Sequence, residues 1–315
     1  MIGPGLPLLS PHGSMSDELL CVGEILWDAL PDGLFLGGAP FNVACHLRAL
    51  GEDVVFVSRV GDDTLGDEAL RRLRARGLDA DPMQVDDALP TGFVRVDLDA
   101  PDDPDYEIVE PAAWDAIACP DALRRRADRA AALVFGSLAQ RAAPSRRTIQ
   151  TLCRTDAMGV FDINLRPPYI DRSVIERSLR AADVVKMNHE ELDRLRAWFD
   201  LPDGPTAAMD ALGTTFDCVA VCVTCGGEGA RLWKEGRTWC HPGHPATVVD
   251  TVGAGDAFLA ALLSGLLRGQ DGAALLDLAN RLGAYVASHA GAIPDYTVDD
   301  LADIATLALP TPPEA

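Results

Sequence analysis

Short Val-rich runs alternate with amphipathic segments along most of this chain, and that alternation constrains its fold more than any other feature. LLCVGEIL is followed by FNVACHLRALG, and DVVFVSRVG by LGDEALRRLRARG. AALVFGSL, MGVFDINL, ADVVKMN and FDCVAVCVTCG come later, each near a helical pattern such as EELDRLRAWF. Apolar runs too short for helices, spaced by helix-period segments, are what βα units produce. A strand buried on both faces reads as a continuous apolar run. The expected fold is therefore α/β: a doubly wound, mainly parallel sheet with helices on both faces. At 315 residues the chain can form one large domain or two smaller ones.

Two stretches break the alternation, WDALPDGLFLGG (Trp27 to Gly38) and TGFVRVDLDAPDDPDYEIVE (Thr91 to Glu110). Their turn-separated, period-two pattern predicts a small β-sheet lid from about 29–38 and 89–112, standing beside the main sheet. Such a sheet covers a ligand or pairs with its own copy in a homodimer; a plain surface hairpin is the alternative. The opening MIGPGLPLLSPHGS has no basic n-region and only a short, Pro-broken apolar stretch, unlike a secretory signal. Residues 1–17 are expected to be a disordered or extraneous leader, with Met15 a candidate start, and 310–315 a Pro-rich tail.

A formal charge of -21 argues against nucleic acid or anionic membrane as a partner, since both need a basic footprint. No run of about eighteen apolar residues predicts a transmembrane helix. Eight cysteines without a signal peptide point to reduced thiols in a cytoplasm. Cys218, Cys222, Cys225, Cys240, His241 and His244 could suggest a metal, but a strand through FDCVAVCVTCGG scatters its thiols over two faces.

One segment looks built to hold an anion. In VVDTVGAGDAFLAALLSGLL, β-branched residues precede a glycine turn, and Phe258, Leu259, Leu262, Leu263 and Leu266 recur at helix spacing. The turn Gly253-Ala254-Gly255 therefore opens a helix, where unpaired N–H groups and the positive dipole end attract anions without Lys or Arg. A glycine-rich turn without any ligand is the plainer alternative. The dinucleotide fingerprint would need glycine at Phe258, and no Gly-Lys pair exists for a Walker A loop. Asp256 could merely complement the helix dipole. Beside a phosphate it would repel, unless it takes a proton from a hydroxyl attacking that phosphate.

DTVGAGDAF resembles the signature of the ribokinase-like (PfkB) carbohydrate kinases, and LGGAPFNVACHLRALG followed by SRVGDDTLG resembles their N-terminal mark. The resemblance runs from about Leu20 to about Pro294 and implies a kinase domain over 18–309. It implies Asp256 as catalytic base and the amides of Gly253, Ala254 and Gly255 as an anion hole for the phosphoryl group of ATP. Asn188 and Glu191 match the family's N-x-x-E pattern, which supports Mg²⁺ and phosphate, partly through water. From local sequence alone they read as a helix N-terminus. Asp250 and Val252 match positions that in some relatives help hold a monovalent cation such as K⁺. Thr224, Gly226 and Gly229 match a loop touching ATP, with Cys225 replacing the family's usual basic residue. Asn280 and Gly291 resemble positions near adenine.

Asp28, Gly38 and Asn42 match substrate-hydroxyl positions, and carboxylate and amide groups suit a polyol. FDINLRPPY, GEILWD and GGAPFN resemble fructokinases, while ribokinases show lysine and glycine where Ala39 and Pro40 stand here. Arg166 would then stabilise the transferring phosphoryl group or contact substrate. The implied activity is ATP-dependent phosphorylation of a primary hydroxyl of D-fructose. The alternatives are a 2-keto-3-deoxygluconate kinase or a ribokinase. From other classes, a non-catalytic sugar- or nucleotide-binding regulator is disfavoured by the intact Asp256, and a nicotinamide-dependent oxidoreductase by the missing glycine fingerprint.

Overall fold

Every residue of the first strand, Leu19–Val22, is buried, and its side chains enter two different cores. Leu19 and Cys21 join one apolar cluster, Leu20 and Val22 the other, as strand alternation requires. The computed structural model describes residues 17–30, 33–97, 105–297 and 300. Residues 1–16 of the expected leader, the expected tail 310–315, 31–32 and 98–104 within the expected lid, and 298–299 and 301–309 of the expected kinase domain lie outside the described residues.

Eight strands form the main sheet. In spatial order they are Arg237–His241, Ala230–Lys234, Ala220–Thr224, Val184–Asn188, Met158–Asp162, Ala132–Gly136, Leu19–Val22 and Val54–Val57. The last six run parallel and the first two join antiparallel. One cluster packs under helices Ala39–Ala49, Thr64–Ala75, Ala254–Leu267 and Gly272–Ala287. The other packs under Asp121–Ala127, Ala143–Leu152, Arg172–Leu179, His189–Phe199 and Pro205–Phe216. The sheet is thus covered on both sides, which explains why its strands read as unbroken apolar runs. The thiols divide: Cys222 lies in the first cluster and Cys225, an odd number of positions on, packs against the second, where Cys218 also lies from ahead of the strand. Among the described residues no helix is long and apolar enough to cross a membrane.

Strand order reverses at Leu19–Val22. The chain passes to Val54–Val57 on one side and returns to Ala132–Gly136 on the other. Ligands of open α/β sheets bind at the carboxyl ends of strands near such a reversal. Asp162, Asn188 and Thr224 are the last residues of their strands, and Glu24 follows Leu19–Val22 by two positions. Polar groups therefore collect along one edge of an otherwise apolar sheet.

A separate four-stranded sheet has the order Gly33–Gly37, Leu26–Leu30, Gly92–Asp97, Asp105–Ile108. Trp27 anchors it: the indole is buried and donates from Nε1 to the Leu65 carbonyl at 3.0 Å, with Arg72 stacked 4.7 Å from its ring. Leu34 and Phe35 remain exposed on this sheet.

Candidate active site

The helix Ala254–Leu267 begins as its sequence dictates. Gly253 precedes it at φ 77°, a left-handed conformation that glycine adopts without strain. A Cβ there would lie 2.5 Å from the Ala292 carbonyl oxygen, so the turn is packed as well as bent. The Ala254 amide is occupied, donating to the Thr251 carbonyl at 3.3 Å in a tightened first turn. That corrects the expectation for Ala254. The amides of Gly253, Gly255 and Asp256 are the ones with no acceptor among the described residues. Gly253 to Gly255 are half-buried and open to solvent, while the Asp256 side chain turns inward and is buried.

Asp256 meets Asn42 across 214 residues of sequence. Asn42 Nδ2 donates to Asp256 Oδ2 at 2.7 Å, and Asn42 Oδ1 is buried without a partner. Burial, then the charge of Asp162, pushes the Asp256 carboxyl up to about 6. Lys186, the Asn42 hydrogen bond and Arg166 pull it back. Asp28 is likewise raised to about 6 by burial against the opposing pull of Arg166. Arg166 is exposed, has no carboxylate within 4.0 Å among the described residues, and donates to the Leu165 carbonyl at 3.1 Å. Its field nevertheless reaches Asp28, Asp256 and Glu24. Gly38, at φ 115°, lets the chain pass where a Cβ would sit 2.4 Å from the Glu24 carbonyl oxygen.

Asn188 and Glu191 form a reciprocal cap on helix His189–Phe199. Asn188 Oδ1 accepts from the Glu191 amide and Glu191 Oε2 from the Asn188 amide, both at 2.8 Å. Glu191 Oε1 accepts from Leu165 at 2.7 Å, tying this cap to the segment that carries Arg166. Asp250 is similarly engaged by the amides of Val252 at 3.0 Å and Gly291 at 3.1 Å. Thr224 reaches the Met187 carbonyl at 3.4 Å, and Gly226 and Gly229 take positive φ in the turn after that strand. Asn280 is buried and bonds within its own helix, to the Leu276 carbonyl at 2.7 Å. No hydrogen bond or ion pair joins these last four residues to Asp256.

Sequence reasoning missed three groups. Lys186 and Asp162 are a buried ion pair at 3.1 Å on neighbouring strands, and Glu24 is 2% exposed with Oε2 unpartnered. Burial raises Glu24 to about 7. The signal was present: a charge inside an apolar run, as in VVKMN, is unusual unless the charge is paired.

His241 and His244 converge on Asp277 and not on a thiol, with Nε2 to Oδ1 distances of 3.5 and 3.1 Å. The Gly243 amide donates to His241 Nδ1 at 3.1 Å, which leaves the proton of neutral His241 on Nε2, the atom a metal would need. Arg281 also holds Asp277, at 2.6 Å. This cluster is a hydrogen-bonded node.

The sequence matches the pfkB family of carbohydrate kinases over residues 32–298. The chain belongs to that family. This carbohydrate kinase is 33% identical over 266 residues to a fructokinase of Klebsiella pneumoniae, covering 80% of this chain and 85% of the relative. It is 31% identical to an ATP-dependent ribose-1-phosphate kinase of Halopiger xanaduensis, covering 84% of this chain and 85% of that one. A sugar kinase of Pyrococcus horikoshii solved in complex with ATP superposes with a TM-score of 0.78 at 28% identity, covering 90% of this chain and 97% of the other. The kinase is a phosphotransferase with a sugar hydroxyl as acceptor.

Proposed function

We propose that this kinase transfers the terminal phosphoryl group of ATP to a primary hydroxyl of D-fructose. The observation that carries the reading is the buried Asp256 carboxyl beside three unpaired amides, held by Asn42. Asp256 takes the proton of the attacking hydroxyl. A carboxyl near 6 is ionised at neutral pH yet basic enough to accept it. The Gly253, Gly255 and Asp256 amides face the charge that develops on the transferring group. Asn42 Oδ1 and the Asp28 carboxyl are acceptors suited to sugar hydroxyls, and Arg166 supplies a cation beside them.

ATP is bound in this reading along the edge formed by Thr224, Gly226, Gly229 and Asn280. The donor set suits Mg²⁺ only through water, because both Glu191 oxygens already take a backbone N–H. The ion would supply positive charge to the phosphates. Asp250, braced by two amides, is the carboxylate to which a monovalent cation is assigned. Exposed Leu34 and Phe35 support reading the small sheet as a lid, and as the face through which two copies would pair.

The similarity to fructokinases and the FDINLRPPY segment favour fructose. The unpaired Arg166 favours a second reading, an acceptor that carries its own anion, such as a keto-deoxy acid or a sugar phosphate. A coupled assay of ADP release across fructose, ribose, ribose 1-phosphate and 2-keto-3-deoxygluconate separates them. Fructose is expected to give the highest kcat/KM; a higher value for an anionic acceptor establishes the second reading. No sugar-dependent release from any of the four contradicts both.

A further inference from the structure

Only two lysines occur among the 27 basic residues of this chain, and one of them, Lys186, is buried in the middle of strand Val184–Asn188. Its strand is in register with Met158–Asp162, which sets Lys186 beside Asp162. Nζ lies 3.1 and 3.2 Å from the two Asp162 oxygens. An ammonium has three N–H donors, and both contacts go to one carboxylate, so at least one donor has no acceptor among the described residues. On the far side a Cβ at Gly255 would stand 3.0 Å from Nζ. The ammonium is therefore pressed against the first turn of helix Ala254–Leu267, at a position whose residue has no side chain to shield it.

We propose that Lys186 is a positioning residue for phosphoryl transfer: its buried charge, seated against Gly255, keeps Asp256 ionised and offsets the carboxylates clustered beneath the anion turn. The inference rests on Asp256 acting as the base. Its surroundings account for the need. Asp162 faces Asp256 from one strand and Lys186 from the next, Asn42 from helix Ala39–Ala49, Arg166 from the segment after Asp162, and Glu24 from the loop after Val22. Glu191 faces Lys186 from helix His189–Phe199, while helix Gly272–Ala287 presents Gly283, without charge, to Ala254. Four carboxyl groups thus oppose two cations, and only Lys186 is buried. Burial pulls the Lys186 ammonium down, but Asp162, Asp256 and Glu191 more than reverse this, so it stays charged.

The test is the pH dependence of kcat/KM for the sugar from about pH 5 to 9 in wild type, Lys186→Met and Asp162→Asn, with folding checked by circular dichroism. In wild type the acid limb is expected near 6. Removing a nearby opposite charge raises a carboxyl, by about 1–3 units when that charge lies within about 4–6 Å, so the limb of Lys186→Met should move up and rates should recover toward high pH. Asp162→Asn removes a like charge, and its limb should move down. Limbs that stay in place in folded variants overturn the proposal. If Lys186→Met does not fold, Lys186→Gln, which keeps donors for Asp162 without the charge, takes its place: a limb moved up supports the proposal and an unmoved limb overturns it. A wild-type profile with no acid limb contradicts the base assignment of Asp256, an outcome distinct from limbs that fail to move.

Discussion

Asp256→Asn should lower kcat by about 10²–10⁴-fold while ATP still binds, because the change removes the base and leaves the amide turn intact. Asparagine keeps an oxygen for the Asn42 donor, so the helix start is not rearranged. The same variant should be more stable than wild type at high pH. The folded protein raises Asp256 from 3.8 to about 6, so it favours the protonated form. Its stabilising contribution is complete below the unfolded value near 3.8 and is lost as pH rises through 6. Above that, ionised Asp256 costs up to about 3 kcal/mol relative to a neutral isostere, less whatever Lys186 loses with its partner. Thermal melts of the two proteins should therefore diverge at about pH 8, with the variant higher, and converge near pH 4. Unchanged turnover removes Asp256 from the mechanism; a lower melting temperature at high pH contradicts its description as a buried, strained charge.

Gly253→Ala should be nearly as damaging by a different route. The left-handed backbone at φ 77° costs a residue with a Cβ about 1–3 kcal/mol. The new methyl would also lie 2.5 Å from the Ala292 carbonyl oxygen and 2.6 Å from its Cα, and backbone cannot yield as a side chain can. The turn must move, taking the unpaired Gly253 and Gly255 amides with it. Displacing one donor to a developing oxyanion typically costs about 10²–10³ in kcat. The KM for sugar should change far less, since Asp28, Gly38 and Asn42 belong to other elements. A lower melting temperature with unchanged kcat would show that the turn matters for packing alone.

The layered sheet was legible because burial on both faces leaves a direct mark: runs such as VVFV and ALVFG carry no polar residue. The small sheet was legible for the opposite reason, a break in that pattern, although its first strand starts at Leu26, inside the run GEILWD. Alternation also foretold that Cys222 and Cys225, three positions apart, would part. The site was legible only in pieces. GAG before a helix marks a turn with free amides, yet which of them stay unpaired depends on whether Thr251 closes the first turn. The Asn42–Asp256 contact joins residues 214 apart, and no local pattern encodes it. Lys186 and Asp162 sit in separate strands, and parallel register alone makes them neighbours. No basic side chain was expected beneath that turn, yet Lys186 stands there, its Nζ 3.0 Å from where a Gly255 Cβ would lie.

The most direct test of the account is a crystal structure of the kinase with ADP, aluminium fluoride and fructose, read as distances. Fluoride atoms are expected about 2.7–3.1 Å from the amide nitrogens of Gly253, Gly255 or Asp256, with a sugar hydroxyl about 2.6–3.2 Å from the Asp256 carboxylate. An anion bound away from that turn, or a hydroxyl directed at any group other than Asp256, would contradict the account.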